Sequence, residues 1–239
     1  MERGASHHDR RYPVVATPNV DQLVRLDRGI DPLANRVVQQ ARYVLPDGQP
    51  IVWASRWLGA PLPSRLPGSS LVASLFPRVV AAKRQTLVVA SSEGVAVHAR
   101  SEGDHVAVVV APPLIGGQSE QFETFIDECV AIVRAREVDF VFVGIGFPAQ
   151  FHLIDGLIRR LQSTGAPLPL FLAVGASLEM HYGLVRRAPV WVQDLGLEWF
   201  FRFAQEPRRL FRRYFVDDLA FARLLVAEWR ERRRGLRQT

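Results

Sequence analysis

The stretch from Gln193 to Tyr214, QDLGLEWFFRFAQEPRRLFRRY, concentrates the side chains most able to handle a phosphate. A Glu-Pro step is followed by Arg208, Arg209, Arg212 and Arg213. Guanidinium groups bind phosphate bidentately and keep their charge. Three uses fit such a cluster: a nucleic-acid patch, a solvated helix face, or a grip on a phosphorylated substrate. Pro207 lacks an N–H and clashes with the preceding turn, so it forbids one continuous helix. The pattern therefore predicts one helix ending near Ala204, with Arg202 at its end, and a second with Pro207 in its first turn. The four arginines then occupy the opening turns of the second helix, where free N–H groups and the dipole favour an anion. Arginine is locally unfavourable there, which makes sense if a diphosphate neutralises it.

Glycines supply a second, weaker signal. VGIGFPAQ (143–150) and LAVGAS (172–177) each place glycine just past an apolar strand, where open parallel sheets bind ligands. Such turns also use glycine for conformational reasons alone, so the two readings stand about even. Other chemistries lack their motifs. There is no P-loop, no GxGxxG and no GxSxG elbow. No two aspartates lie two residues apart, so the Asp-x-Asp pair that often holds a divalent cation in nucleotide-sugar transferases is missing. The six histidines show no metal-ligand spacing, and Cys129 is the only cysteine. The expectation is a protein with no metal, no cofactor and no disulfide, suited to a reducing cytoplasm.

The charge distribution sharpens the first signal. The net charge is +6, and between Glu198 and Thr239 eleven arginines face six acids, an excess of +5. No apolar run reaches the roughly 18 residues that a membrane span needs, and MERGASHHDRRYP has no apolar core of the kind a secretory signal carries.

These side chains need a frame. YPVVA (12–16), TLVVAS (86–91), HVAVVVA (105–111), FVFVGIG (140–146) and PLFLAVG (169–175) are strand-length runs, mostly β-branched or aromatic. Near-continuous apolar strands suit a parallel sheet covered on both faces. Helical patterns fall at Asp21 to about Val44, broken near Gly29–Pro32, then at 50–59, 66–83, 119–137 and 151–163. Phe122, Phe125, Ile126, Cys129, Ile132 and Val133 share one side of the fourth. The alternation predicts an α/β fold: a Rossmann-like parallel sheet flanked by helices. Residues 1–193 form the core, and 194–239 a basic helical appendage. Phe215, Leu219, Ala222, Val226 and Trp229 recur at helical spacing there, opposite Arg223, Arg230 and Arg233, as in a helix lying on an anionic membrane. Docking of that stripe on the domain's own core is the competing reading. The RERRRGLR tail reads as disordered.

Four segments taken together resemble the bacterial WecG/TagA/CpsF-type glycosyltransferase family: VVATPN (14–19), LPDGQPIVWASRWLGAPLPSRLPGS (45–69), FVFVGIGFPAQ (140–150) and VGASLEMHYGLVRRAPVWVQDLGLEWFFRFAQEPRRLFRRY (174–214). The last is the most specific. The resemblance implies inverting, metal-independent transfer of a sugar, often of N-acetylmannosamine type, from a UDP-sugar donor to a polyprenyl-diphosphate-linked acceptor in cell-surface polysaccharide synthesis. It implies a cytoplasmic protein, peripheral on the inner face of the cell membrane.

Residue roles follow by matching position. Asp47, the aspartate of the PDG turn, matches the proposed general base, which takes the acceptor hydroxyl's proton as it attacks; from spacing alone, a turn-capping aspartate is favoured. Thr17 and Asn19 match the polar pair lining the pocket, against a plain strand-end turn with an Asx hydrogen bond. Arg65 matches a phosphate partner, Gln150 a residue that bonds the donor, and Gly175 the glycine-rich turn. Arg202, Arg209 and Arg212 match the arginines that grip the diphosphate when the appendage closes. The sequence departs from the family at Ser70, at Ala149 and Phe151, and at Leu178-Glu179. The expected partners are the UDP-sugar, the lipid-linked acceptor and a membrane surface, with no nucleic acid; a homo-oligomer is compatible with the sequence. A catalytically silent UDP-binding scaffold is the main alternative, with a basic nucleic-acid-binding protein behind it.

Overall fold

The computed structural model describes residues 11–113, 119–185, 189, 192, 200–201 and 218–235. Pro207, Arg202, Arg209 and Arg212 lie outside the described residues, as do the helix break and arginine cluster expected around them.

The described chain builds a parallel sheet of six strands in the order β2-β1-β6-β5-β3-β4. The strands are β1 (Tyr12–Ala16), β2 (Ala41–Val44), β3 (Thr86–Ala90), β4 (Val106–Val110), β5 (Phe140–Val143) and β6 (Leu170–Ala173). The helices are α1 (Val20–Asp27), α2 (Pro32–Gln40), α3 (Gln49–Trp57), α4 (Gly68–Ala81), α5 (Glu93–Arg100), α6 (Glu120–Ala135), α7 (Ala149–Ser163), α8 (Ser177–His181) and α9 (Asp218–Gly235). This is the α/β architecture that the strand runs predict.

Strand side chains alternate between two cores, as the pleat requires. Val14, Ala16, Leu87, Val89, Val141, Val143, Phe171 and Ala173 face a layer made by α1, α2, α6 and α7. Val15, Val88, Ala90, Phe142 and Leu172 face α4, α5 and α8. Burial on both faces is why these strands read as unbroken apolar runs. On α6, Phe122, Phe125, Ile126, Cys129 and Val133 are buried, and Ser119 caps the helix by accepting from the Phe122 N–H.

Three expectations need correction. Residues 41–44 form an edge strand and do not continue the preceding helix; only Ala41 of β2 is buried, so no buried-strand pattern marks it. Helices α5 and α8 were not expected, because Gly94 interrupts the one and the other is a five-residue turn of helix. The third correction concerns α9. It packs against α1, and Trp229 stacks on Trp57 of α3 with ring centroids 5.9 Å apart. Its half-buried side carries Phe221, Leu224, Leu225 and Trp229, whereas Ala222 and Val226 are exposed. The inward face is thus rotated from the stripe predicted through Ala222 and Val226. The helix also runs to Gly235, so the start of the RERRRGLR segment is helical and not disordered.

Candidate functional site

A parallel sheet turns all its strand ends, and the helix starts that follow, toward one edge. Helix α1 leaves β1 toward one face and α8 leaves β6 toward the other. The neighbouring β1 and β6 therefore have a topological switch point between them, the kind of place where an open parallel sheet binds ligands.

Thr17 and Gly175 stand on either side of it. The Thr17 side chain is buried, and its hydroxyl donates to the Ala173 carbonyl at 3.2 Å. Gly175 has φ +51°, a left-handed conformation that glycine adopts without strain. A Cβ on Gly175 would lie 3.9 Å from the Ile145 carbonyl oxygen and 4.0 Å from Gln150 Oε1, so the residue leaves the approach to Gln150 clear. Gln150 is only 3% exposed, and its Oε1 has no hydrogen-bond partner among the described residues. A buried amide oxygen without a partner is costly.

The β1–β2 ladder extends past the strands and carries Asp47 to the same edge. Leu45 N–H donates to Ala16 O at 2.8 Å, and Asp47 N–H donates to Pro18 O at 3.1 Å. The Leu66 N–H donates to Pro46 O at 2.8 Å, which folds the 58–67 loop back and sets Arg65 beside the Asp47 turn. Asp47 and Arg65 are both half-buried. Asn19 is the N-cap of α1, its side chain accepting from the Gln22 N–H at 3.0 Å; this is the local bond foreseen as its plain alternative. The structure therefore brings Thr17, Asn19, Asp47, Arg65, Gln150 and Gly175 to one edge of the sheet.

Helix caps give a signal that the sequence reading missed. Helices α1, α2, α5 and α6 begin with side-chain caps from Asn19, Asp31, Ser92 and Ser119. Helices α3, α4 and α7 begin at Gly48, Pro67 and Pro148 with no side-chain cap. These three start beside Asp47, Thr17 and Gln150. Their dipoles put positive potential at these starts, which suits an anion. The contact at α4 is close: a Cβ on Gly68 would lie 2.9 Å from both Thr17 Oγ1 and Ser177 Oγ. Ser69 and Ser177 are buried beside it, and the Ser177 hydroxyl donates to Val174 O at 2.6 Å. Ser91, just past β3, pairs with Glu179 Oε1 at 2.5 Å, while Glu179 Oε2 is buried without a hydrogen-bond partner among the described residues. Spacing in the sequence offered no sign of this pair.

No group of three potential metal-ligating side chains occurs among the described residues. No described helix is long and apolar enough to cross a membrane.

A protein named N-acetylglucosaminyldiphosphoundecaprenol N-acetyl-beta-D-mannosaminyltransferase, from Bacillus spizizenii, is 28% identical over 181 residues, covering 75% of this chain. A protein of the same name from Staphylococcus aureus is 27% identical over 177 residues, covering 74% of this chain. In each case the match spans 66% of the relative's own length. The family model described as Glycosyl transferase WecG/TagA/CpsF matches residues 2–235. With its parallel sheet, its switch point and a match over nearly its whole length, the chain belongs to the WecG/TagA/CpsF glycosyl transferase family.

Proposed function

We propose that the protein is a glycosyltransferase that moves a sugar from a UDP-sugar to a polyprenyl-diphosphate-linked acceptor, with inversion and without a metal, in cell-surface polysaccharide synthesis. The names of the relatives suggest an N-acetylmannosamine-type sugar and an N-acetylglucosaminyl-diphosphate-lipid acceptor. The observation that supports the reading is that three helix starts without side-chain caps lie at the sheet edge that also holds Thr17, Asp47 and the buried Gln150, whose Oε1 has no hydrogen-bond partner among the described residues. A nucleotide diphosphate fits that setting: its charge suits the helix N–H groups, and a sugar or ribose hydroxyl can donate to Gln150.

In the proposed step, the acceptor hydroxyl oxygen attacks the anomeric carbon on the face opposite the UDP. The carbon–oxygen bond to the β-phosphate breaks, its electron pair leaves with UDP, and Asp47 takes the hydroxyl proton. The growing phosphate charge is met by Arg65 and by the starts of α3, α4 and α7, which act in the manner of an oxyanion hole. Arg202, Arg209 and Arg212 would add to this grip from the appendage of residues 194–239. The protein would work peripherally on the cytoplasmic face of the membrane, where the acceptor's diphosphate lies.

The test is the Asp47→Asn variant. Transfer should fall by roughly 10²–10⁴-fold, the usual worth of a positioned general base, while UDP still raises the melting temperature. Transfer at the wild-type rate removes Asp47 from the role. A wild-type protein that binds UDP and transfers no sugar to any lipid-linked acceptor would point to a silent relative.

A further inference from the structure

Helix α3 starts two residues after Asp47 and buries Val52, Ala54 and Ser55. Its opposite side carries Trp53, Arg56 and Trp57, spaced i, i+3 and i+4 on one face. Trp53 is 53% exposed and Trp57 52%. One exposed tryptophan needs no explanation, but these two continue into a third. Trp229 of α9 lies parallel to Trp57 with an interplanar angle of 6°, and the Arg233 guanidinium sits 4.0 Å over the Trp229 ring. Arg223 and Arg230 are exposed along the same helix, with Ala222, Val226 and Ala227 exposed beside them and the larger Phe221, Leu224 and Leu225 half-buried; Glu231 is the exposed acid among them.

We infer that this face of α3, continued by the Trp229–Arg233 end of α9, seats the protein on an anionic lipid surface. It rests on the transferase reading for its purpose, and it moves the apolar contact with lipid from the C-terminal helix to α3. Indole rings sit at the headgroup level, half in hydrocarbon and half wet. Arginines beside them meet anionic headgroups, each contributing through charge at the surface. Helix α9 supplies less of the apolar part, because Phe221, Leu224 and Leu225 are half-buried and Val226 is its one large exposed aliphatic side chain among the described residues. A second copy of the chain fits less well: a two-fold contact would bring Arg56, Arg230 and Arg233 of both copies into one like-charged patch. A helix of nine residues is about 14 Å long, so a seated α3 holds Asp47 within that distance of the headgroups. A lipid-borne diphosphate lies at that level.

The full chain should be mixed with vesicles of phosphatidylcholine alone, and of phosphatidylcholine with phosphatidylglycerol. Co-sedimentation and tryptophan emission are then read together. The wild type should bind the anionic vesicles and shift its emission to the blue. Trp53→Ala/Trp57→Ala should partition at least roughly ten-fold more weakly. Should that variant lose its near-ultraviolet dichroism, Trp53→Ala alone serves, with a smaller loss in the same direction, and Trp53→Phe should keep most of the binding. Equal vesicle binding by wild type and a folded variant overturns the inference. So does a wild-type dimer in light scattering that Trp53→Ala converts to monomer. In transfer assays Trp53→Ala should match wild type on a water-soluble short-chain acceptor and slow by roughly ten-fold on a vesicle-borne one. If vesicle binding behaves as expected and wild type transfers to neither acceptor, the lipid seat stands and the transferase reading falls.

Discussion

The Thr17 hydroxyl donates to the Ala173 carbonyl oxygen at 3.2 Å, tying the end of β1 to the end of β6 at the line where their helices part. This bond holds the two strand ends in register. Thr17→Val keeps the shape and removes the donor, so it should lower stability by about 1 kcal/mol. Thr17→Ser should restore it. Urea unfolding of the three proteins is the measurement, and an unchanged midpoint in Thr17→Val would mean that the bond carries no weight.

Gln150 predicts a split between stability and binding. Its buried oxygen has no hydrogen-bond partner among the described residues, so Gln150→Leu should be no less stable than wild type in thermal melting. The same variant should bind UDP-sugar about ten-fold more weakly, one hydrogen bond's worth. Calorimetric titration reads the second half. Weaker folding with unchanged affinity would assign Gln150 to the scaffold.

Alkaline pH should unfold the protein early. Burial, with the charge of Glu128 adding to it, pushes the Cys129 thiol up from 9.0 to about 12. Burial first, then Glu102, raises the Tyr182 phenol above 10.0. Both groups are neutral when protonated, and both have folded values above the unfolded ones. Their contribution is fully present below pH 9 and is lost as pH rises, because the unfolded chain releases protons that the fold still holds. One such group gives a slope of up to about 1.4 kcal/mol per pH unit between its two values. Urea midpoints should therefore be level near pH 8 and fall from pH 9 upward, less steeply above pH 10 in Tyr182→Phe. A midpoint that stays level to pH 11 contradicts this account.

The Trp57–Trp229 stack predicts that α9 belongs to the folded unit. Trp229→Ala removes the ring and should cost about 1–2 kcal/mol, less than a fully buried tryptophan because Trp57 is half exposed. Near-ultraviolet circular dichroism should lose the signal of the parallel rings. If melting temperature and dichroism both match wild type, the helix is not held by this contact.

Strands β1 and β3 to β6 were legible because both of their faces are covered and their residues are almost uniformly apolar. The edge strand β2 was not, since Arg42, Tyr43 and Val44 face outward and carry no periodic mark. In α9 every position from Ala220 to Ala227 is apolar or arginine. Helical spacing then fits several faces, and only the docking on α1 and Trp57 selects one. The site divides along the same line. Asp47, Arg65 and Gln150 could be named by the motifs they sit in, but their approach depends on the order of strands in the sheet. The missing caps of α3, α4 and α7 mean something only once those helices are seen to start at one place. Asn19 shows the reverse: its helix-capping bond is local and could be read directly.

The packing of α9 on α1 also bears on how the molecule is made. Residues 20–27 leave the ribosome about two hundred residues before 218–235, which at 5–20 residues per second is roughly 10–40 s. During that interval the outer side of α1 waits for its cover while the sheet assembles beneath it. Until α9 is made, the side of α1 that it covers stays open to a chaperone or to the lipid surface where the finished molecule would work.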